Sequence, residues 1–256
     1  MRGRAVELVT TDNVRLVARW WRATSPRASV VLAHGFGAGV SEARLVGLAD
    51  ALREAGLDVL AYDARGHGGS GGEATLGDRE RLDVAAAVDT APPERPVILV
   101  GASMGAIAAL RYAASAPGLV AGVVSVSCPA EWRLPRNARG ILSALLTQTG
   151  LGRAVARRWM GVRIASRGAR SAPPVELIGA VGAPVAVLHG RRDPFMGAHD
   201  AELLYEAAAE PRRLDLVEDL GHAFDGPVAA PVLTDVDWCL AESVSGAPQP
   251  RRAAGA

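Results

Sequence analysis

Lysine is absent from this sequence: all 28 basic residues are arginine. That excludes Schiff-base chemistry, pyridoxal phosphate anchoring, a Ser-Lys dyad and a Walker A phosphate loop, each of which needs a lysine amine. Two cysteines, Cys128 and Cys239, are too few for a disulfide framework or a zinc cluster, and no Cys-x-x-Cys occurs. Both are expected to be reduced and buried. No apolar run approaches the roughly 20 residues of a bilayer-spanning helix, and a formal charge of +1 creates no global field for nucleic acid or a membrane surface. Neither nucleic-acid binding nor stable membrane insertion is expected. Phenylalanine and tyrosine number three each, so an aromatic-lined pocket is not expected either. After Arg2 and Arg4 the chain alternates like a strand, without the apolar segment and small-residue cleavage site of a secretory signal. The expected location is cytoplasmic.

What the 256 residues do contain is 49% hydrophobic side chains, 29 glycines and 16 prolines, enough to bury a full core in one or two domains. Residues 5–9 and 14–21 alternate apolar with polar around Asp12-Asn13, which predicts an antiparallel hairpin. Beyond it lie short apolar runs at 29–33, 58–61, 97–100, 120–126, 185–188 and 214–217, the texture of strands buried on both faces. Helical patterns at 41–55, 79–88, 104–115, 198–209 and 227–240 fall between most of them. The pattern predicts an α/β fold: a mainly parallel eight-stranded sheet with helices on both faces and a ligand crevice at the carboxyl ends of the strands. Residues 129–175 break the alternation and are expected to form a small helical cap inserted over that crevice. The core then comprises 1–128 and 176–243, and 244–256 a flexible tail.

The pattern Gly-x-Ser-x-Gly lets a chain turn sharply from strand to helix and hold a serine hydroxyl exposed on the turn. Alone it is weak, because this composition in random order would produce it with a probability of about one in six. It occurs twice. Gly68-Gly69-Ser70-Gly71-Gly72 lies in a glycine run with no helix after it and is expected to be a flexible loop. Gly101-Ala102-Ser103-Met104-Gly105 directly follows the run Val97-Ile98-Leu99-Val100 and opens a helical pattern, the strand-turn-helix context that a nucleophile needs. Context selects Ser103.

A serine hydroxyl needs a base to take its proton and a third group to fix that base's tautomer. Of five histidines, His222 sits in the loop after the last expected strand, from which it can reach back over the crevice. His34 and His67 are held in glycine-flanked turns, and His189 and His199 lie after a strand and at a helix start. Asp193 follows the expected strand 185–188 on the same edge; Glu131 is the alternative carboxylate.

With these residues in order, the chain resembles the α/β-hydrolase superfamily in its serine esterase, lipase and thioesterase-like branch, over about residues 5–128 and 176–242. Ser103, Asp193 and His222 occur in that family's order of nucleophile, acid and base. His34-Gly35-Phe36-Gly37 looks like its oxyanion loop, and Asp63-Ala64-Arg65-Gly66-His67-Gly68-Gly69-Ser70 like its D-x-R-G-H-G-x-S segment. The resemblance implies cleavage of a carboxylic ester or thioester through an acyl-enzyme, with the Phe36 and Met104 N–H groups as oxyanion hole. It also implies that His34, Asp63, Arg65 and His67 are structural, and that no cofactor or metal is needed. Relatives with an aspartate nucleophile are disfavoured. The same triad on an amide or carbon–carbon bond, an acyltransferase, and a non-enzymatic ligand receptor or scaffold are the alternatives.

Residues 132–175 contain nine arginines and no acidic residue, so this stretch carries about +9 and the remainder about −8. The expected substrate is a small acyl compound, and the basic cap suggests one that is anionic or carrier-bound. Trp132, Ile141, Leu142, Leu145, Leu146 and Trp159 are the expected apolar walls of an acyl pocket beneath the cap, or else the cap's own core. The spacing of Leu151, Val155 and Trp159 puts them on one helical face, with most of Arg153, Arg157 and Arg158 on the other.

Overall fold

The computed structural model describes residues 3–133, 138–166 and 171–245. Strands β1 (Arg4–Val9) and β2 (Arg15–Trp21) form the expected antiparallel hairpin, in register from Arg4↔Trp20 to Val9↔Arg15. Its turn is closed by Asn13 at φ 60° and by Thr10 Oγ1, which accepts from the Val14 N–H at 2.9 Å. Six further strands follow: β3 (Ala28–Ala33), β4 (Leu57–Tyr62), β5 (Val97–Ala102), β6 (Gly122–Val126), β7 (Val185–Gly190) and β8 (Arg212–Val217). They assemble in the order β1-β2-β4-β3-β5-β6-β7-β8. β2 meets β4 antiparallel, and every later pairing is parallel. Every residue of β3 through β7 is buried, which is why their sequences read as unbroken apolar runs and not as alternation.

Alternate strand residues feed two cores. Val30, Leu32, Ile98 and Val100 pack with Leu45, Leu48 and Leu52 of α1 (Ala43–Glu54) and Val232, Val236 and Cys239 of α8 (Ala229–Ser245). Val31, Ala33 and Leu99 face α2 (Glu80–Thr90), α3 (Met104–Ser115) and α7 (Ala198–Ala207) on the other side. Among the described residues no helix is long and apolar enough to cross a membrane. Helix α8 continues to Ser245, two residues into the stretch read from the sequence as tail; 246–256 lie outside the described residues.

The stretch between β6 and β7 holds α4 (Ala138–Gln148), α5 (Gly150–Val155), a π-helical turn at Ala156–Met160 that prolongs it, and the short α6 (Pro174–Leu177). A Cβ at Gly152 would lie 2.0 Å from the Leu145 carbonyl oxygen, so α5 packs on α4 through its small side. Ala156, one turn on, is fully buried with Ala74, Val162 and Ile164. The large apolar residues consequently point outward: Leu151 is 79% exposed and Trp159 80%. They form neither pocket wall nor cap core. The foot of the cap is anchored to the loop after β4: Arg163 and Ala165 exchange backbone hydrogen bonds with Gly66 and Ala74, and Val162 and Ile164 pack against Ala74 and Phe36.

Candidate active site

Ser103 stands between β5 and α3 at φ 51°, ψ −112°, a left-handed conformation that costs an L-residue on the order of 1–3 kcal/mol. The two flanking glycines make the turn possible. A Cβ at Gly105 would lie 2.3 Å from the Ala33 carbonyl oxygen, and one at Gly101 2.5 Å from the Gly105 carbonyl oxygen. Any side chain there would push α3 off the sheet. The Ser103 N–H donates to Val126 O at 2.9 Å and its carbonyl accepts from Ile107 N–H at 3.0 Å, so the turn is pinned from both sides.

Asp193 follows β7 and is held by two backbone donors, the Phe195 N–H at 2.8 Å and the Met196 N–H at 3.1 Å, on Oδ1. Its Oδ2 accepts from His222 Nδ1 at 2.7 Å. The carboxylate is fully buried. Burial alone would raise its pKa, but the hydrogen bond and charge of His222 together with the two backbone N–H groups outweigh it and hold the carboxyl below its ordinary value. Because Nδ1 carries the donated proton, Nε2 is left with a free lone pair. The loop bearing His222 is brought in by Gly190, whose Cβ would lie 2.2 Å from the Leu220 carbonyl oxygen, and by Ser127 Oγ, which accepts from the Ala223 N–H at 3.1 Å.

Ser103 and His222 line one cavity of about 1120 Å³ with His34, Gly35 and Phe36. Among the described residues Ser103 Oγ forms no hydrogen bond, and neither the Phe36 nor the Met104 N–H donates to another group. The Phe36 loop is braced from behind by two buried histidines. His34 Nε2 accepts from the Ala64 N–H at 2.9 Å while Nδ1 faces Gly35 O at 2.7 Å; burial and the neighbouring His67 lower its pKa to about 4. His67 Nε2 accepts from the Gly37 N–H at 3.2 Å, and its pKa too is lowered by burial. With both rings neutral, each acts as a strut.

The second Gly-x-Ser-x-Gly copy is not the open loop expected of it. Ser70 is buried; its Oγ donates to Asp63 O at 2.6 Å and accepts from the Val17 N–H at 2.9 Å. Asp63 in turn accepts from the Val40 and Gly69 N–H groups at 2.7 and 3.1 Å, and Arg65 is buried between Asp83 and Asp12 at 2.8 Å from each. Its glycines serve close packing: a Cβ at Gly68 would collide with the Asp63 carboxylate, and one at Gly69 would lie 2.9 Å from Val17 Cγ2. Glu131, the alternative carboxylate, pairs with Arg133 at 2.8 Å and not with His222.

Of the expected pocket walls, Leu142 and Leu146 line the cavity, whereas Trp132, Ile141, Leu145 and Trp159 do not. Trp132 is half exposed and donates through Nε1 to Ser171 O at 2.7 Å, so its indole lies along the cap's outer edge. The walls that sequence reasoning missed are Leu45, Met160, Met196 and the phenylalanines. All three phenylalanines of the chain, Phe36, Phe195 and Phe224, converge on this cavity. The low aromatic count did not exclude an aromatic lining, because three rings gathered from three loops suffice; Phe195 lies 4.8 Å from the His222 ring. For Phe195, Met196 and Phe224, proximity to Asp193 and His222 along the chain was the available signal. Nor is the cavity basic: it presents four carboxylates, Glu42, Glu131, Asp200 and Asp225, against three guanidinium groups. Arg44 pairs with Asp225 at 3.2 Å and Arg133 with Glu131, while Arg153, Arg157 and Arg158 lie outside. Among the described residues no cluster of metal-ligating side chains is found.

The sheet order, the serine turn and the strand-end loops are those of an α/β hydrolase. More particularly, the chain belongs to the family described as serine aminopeptidase, S33, whose model matches residues 24–173 and so takes in the cap as well as the first half of the core. Human monoglyceride lipase is 38% identical over 127 residues, 47% of this chain and 41% of the lipase. The monoacylglycerol lipase of Mycolicibacterium smegmatis is 37% identical over 121 residues, 44% of this chain and 42% of that protein. The aligned region thus spans less than half the length of these curated relatives. An uncharacterised Mycobacterium tuberculosis protein is 31% identical over 229 residues, covering 86% of this chain and 72% of its own. Among solved structures, an esterase from Pyrococcus furiosus has a TM-score of 0.70 at 24% identity, covering 94% of this chain and 89% of that one.

Proposed function

We propose that this protein is a serine hydrolase that cleaves carboxylic esters or thioesters of small acyl substrates through an acyl-Ser103 intermediate. The observation that carries the reading is the Asp193–His222 hydrogen bond of 2.7 Å opening onto the cavity that also holds Ser103. In the first half-reaction His222 Nε2 takes the Ser103 proton as Oγ bonds to the substrate carbonyl carbon. The carbonyl oxygen, now negative, is received by the Phe36 and Met104 N–H groups, each such donor contributing on the order of 3 kcal/mol to the transition state. Collapse breaks the bond to the leaving alcohol or thiol, which departs with the proton from His222. Water then attacks the acyl-serine by the same route in reverse, giving the carboxylic acid and free Ser103. Ionised Asp193 stabilises the imidazolium formed at each stage.

An ester is favoured over an amide by the mostly apolar lining around Phe36, Leu142, Leu146, Phe195 and Phe224 and by the similarity to monoglyceride lipases. No feature of the cavity selects an anionic or carrier-bound substrate, since its carboxylates outnumber its guanidinium groups four to three. A fluorophosphonate probe tests the reading: labelling of the wild type and of Ser70→Ala, and its loss in Ser103→Ala, are the expected results. Labelling that survives Ser103→Ala would overturn the assignment. Turnover of p-nitrophenyl esters, acyl-thioesters and aminoacyl anilides then ranks the bond types.

A further inference from the structure

Twelve large hydrophobic side chains are exposed among the described residues, and eight of them fall within residues 132–160. Leu151, Val155 and Trp159 stand at four-residue spacing along α5 and its π-helical extension, and all three face solvent. The cause is the packing of the helix: Gly152 seats it on α4 and Ala156 is buried with Ala74, Val162 and Ile164, so its large apolar side has no partner within the described residues. Arg157 and Arg158 are exposed on the same turn, with the Arg158 guanidinium 5.9 Å from the Trp159 ring centre. No acidic residue occurs from 132 to 175 to neutralise them. Leu142 and Met160 belong both to this exposed apolar group and to the cavity lining, so the patch runs to the mouth of the site.

We propose that the outer face of the cap is a docking surface for an anionic lipid bilayer, with Leu151, Val155 and Trp159 entering the acyl boundary and Arg157 and Arg158 at the lipid phosphates. A helix with bulky apolar residues on one side and only cations beside them has the composition that lies in a membrane interface without crossing it. A continuous apolar patch on a soluble domain needs a cover of this kind. The near-neutral total charge conceals the patch, because the charge is segregated: about +9 on residues 132–175 and about −8 elsewhere. A soluble acidic protein would satisfy the arginines but would leave an indole 80% exposed with no apolar medium to enter. Docking does not depend on Ser103, so it can hold or fail independently of the proposed reaction.

The test is co-sedimentation of the full chain with phosphatidylcholine vesicles and with mixed phosphatidylcholine–phosphatidylglycerol vesicles, in low and high salt. Expected are preferential binding to the mixed vesicles, weakening with salt, and a blue shift of tryptophan emission that disappears in Trp159→Phe. Arg157→Gln/Arg158→Gln should weaken partition into mixed vesicles about thirtyfold, from the usual contribution of each basic residue at such a surface. Leu151→Ser should weaken it on both vesicle types. These three side chains are exposed and outside the cavity, so an unchanged thermal midpoint verifies folding. Absence of binding to the mixed vesicles, equal binding to both types, or wild-type binding by the double arginine variant would each overturn the proposal. So would binding to soluble polyglutamate without binding to vesicles.

Discussion

The two Gly-x-Ser-x-Gly segments have the same pattern and opposite fates, and what separates them is the structure on either side. Ser103 is preceded by a buried strand and followed by a helix, so its hydroxyl is lifted into the cavity at a strained φ of 51°. Ser70 is preceded by a turn and followed by more turns, and its hydroxyl is consumed by Asp63 O and the Val17 N–H. One serine is left without a protein partner among the described residues, and the other is fully satisfied. The proposed reaction draws on the first, and the packing of the loop on the second. The glycines divide in the same way: Gly101 and Gly105 let a helix sit on a strand, whereas Gly68 admits the Asp63 carboxylate and Gly69 the Val17 side chain.

The largest effect expected from this division is on turnover. Ser103→Ala should lower kcat by on the order of 10⁶, while Ser70→Ala should retain wild-type kcat per folded molecule; steady-state ester hydrolysis measures both. Next in size, Asp193→Asn should lower kcat by about 10⁴, because an amide that donates to Nδ1 would fix the wrong tautomer of His222. Its thermal midpoint should change far less than its rate.

Smaller, and shared between the two segments, is an acid sensitivity set by the struts His34 and His67. The His34 pKa is about 4 in the native protein against 6.5 for a free imidazole. The unfolded chain therefore binds the extra proton first as pH falls. Stability is complete above pH 6.5 and declines by about 3 kcal/mol as the pH drops towards 4. Urea unfolding across that range should show the slope, and His34→Gln should flatten it. His67, also depressed, contributes with the same sign. The smallest effect is that of Ser70→Ala on stability: removing the hydroxyl leaves the Val17 N–H and Asp63 O unpaired in the interior, about 1–3 kcal/mol by urea unfolding. A rate loss in Ser70→Ala comparable to that of Ser103→Ala would break the comparison.

Much of the core was legible along the chain. Runs such as Val97-Ile98-Leu99-Val100 could be read as strands because residues buried on both faces must all be apolar, and α3 was bounded correctly because Gly101 and Gly105 punctuate its entry. Asp193 and His222 were readable as candidates because in a parallel sheet each strand returns to the same edge, so a position after a strand is also a position in space. The cap was not legible in this way. Its apolar residues have helical spacing, but spacing states only that they share a face. Which face is buried was settled by Gly152 meeting α4 and by Ala156 meeting Ala74, Val162 and Ile164, and that sent Leu151 and Trp159 outward.

The amino-acid sequence by itself determined the sheet, its helices, the serine turn and the order of the three candidate catalytic side chains, because local patterning and strand polarity leave few alternatives. Tertiary structure alone decided the rest. It gathered three scarce phenylalanines into one lining and paired two of the three cavity arginines with carboxylates. It turned the cap's large apolar side to solvent and saturated Ser70 while leaving Ser103 Oγ without a partner among the described residues. These are contacts between segments distant along the chain, and no local pattern encodes which surfaces will meet.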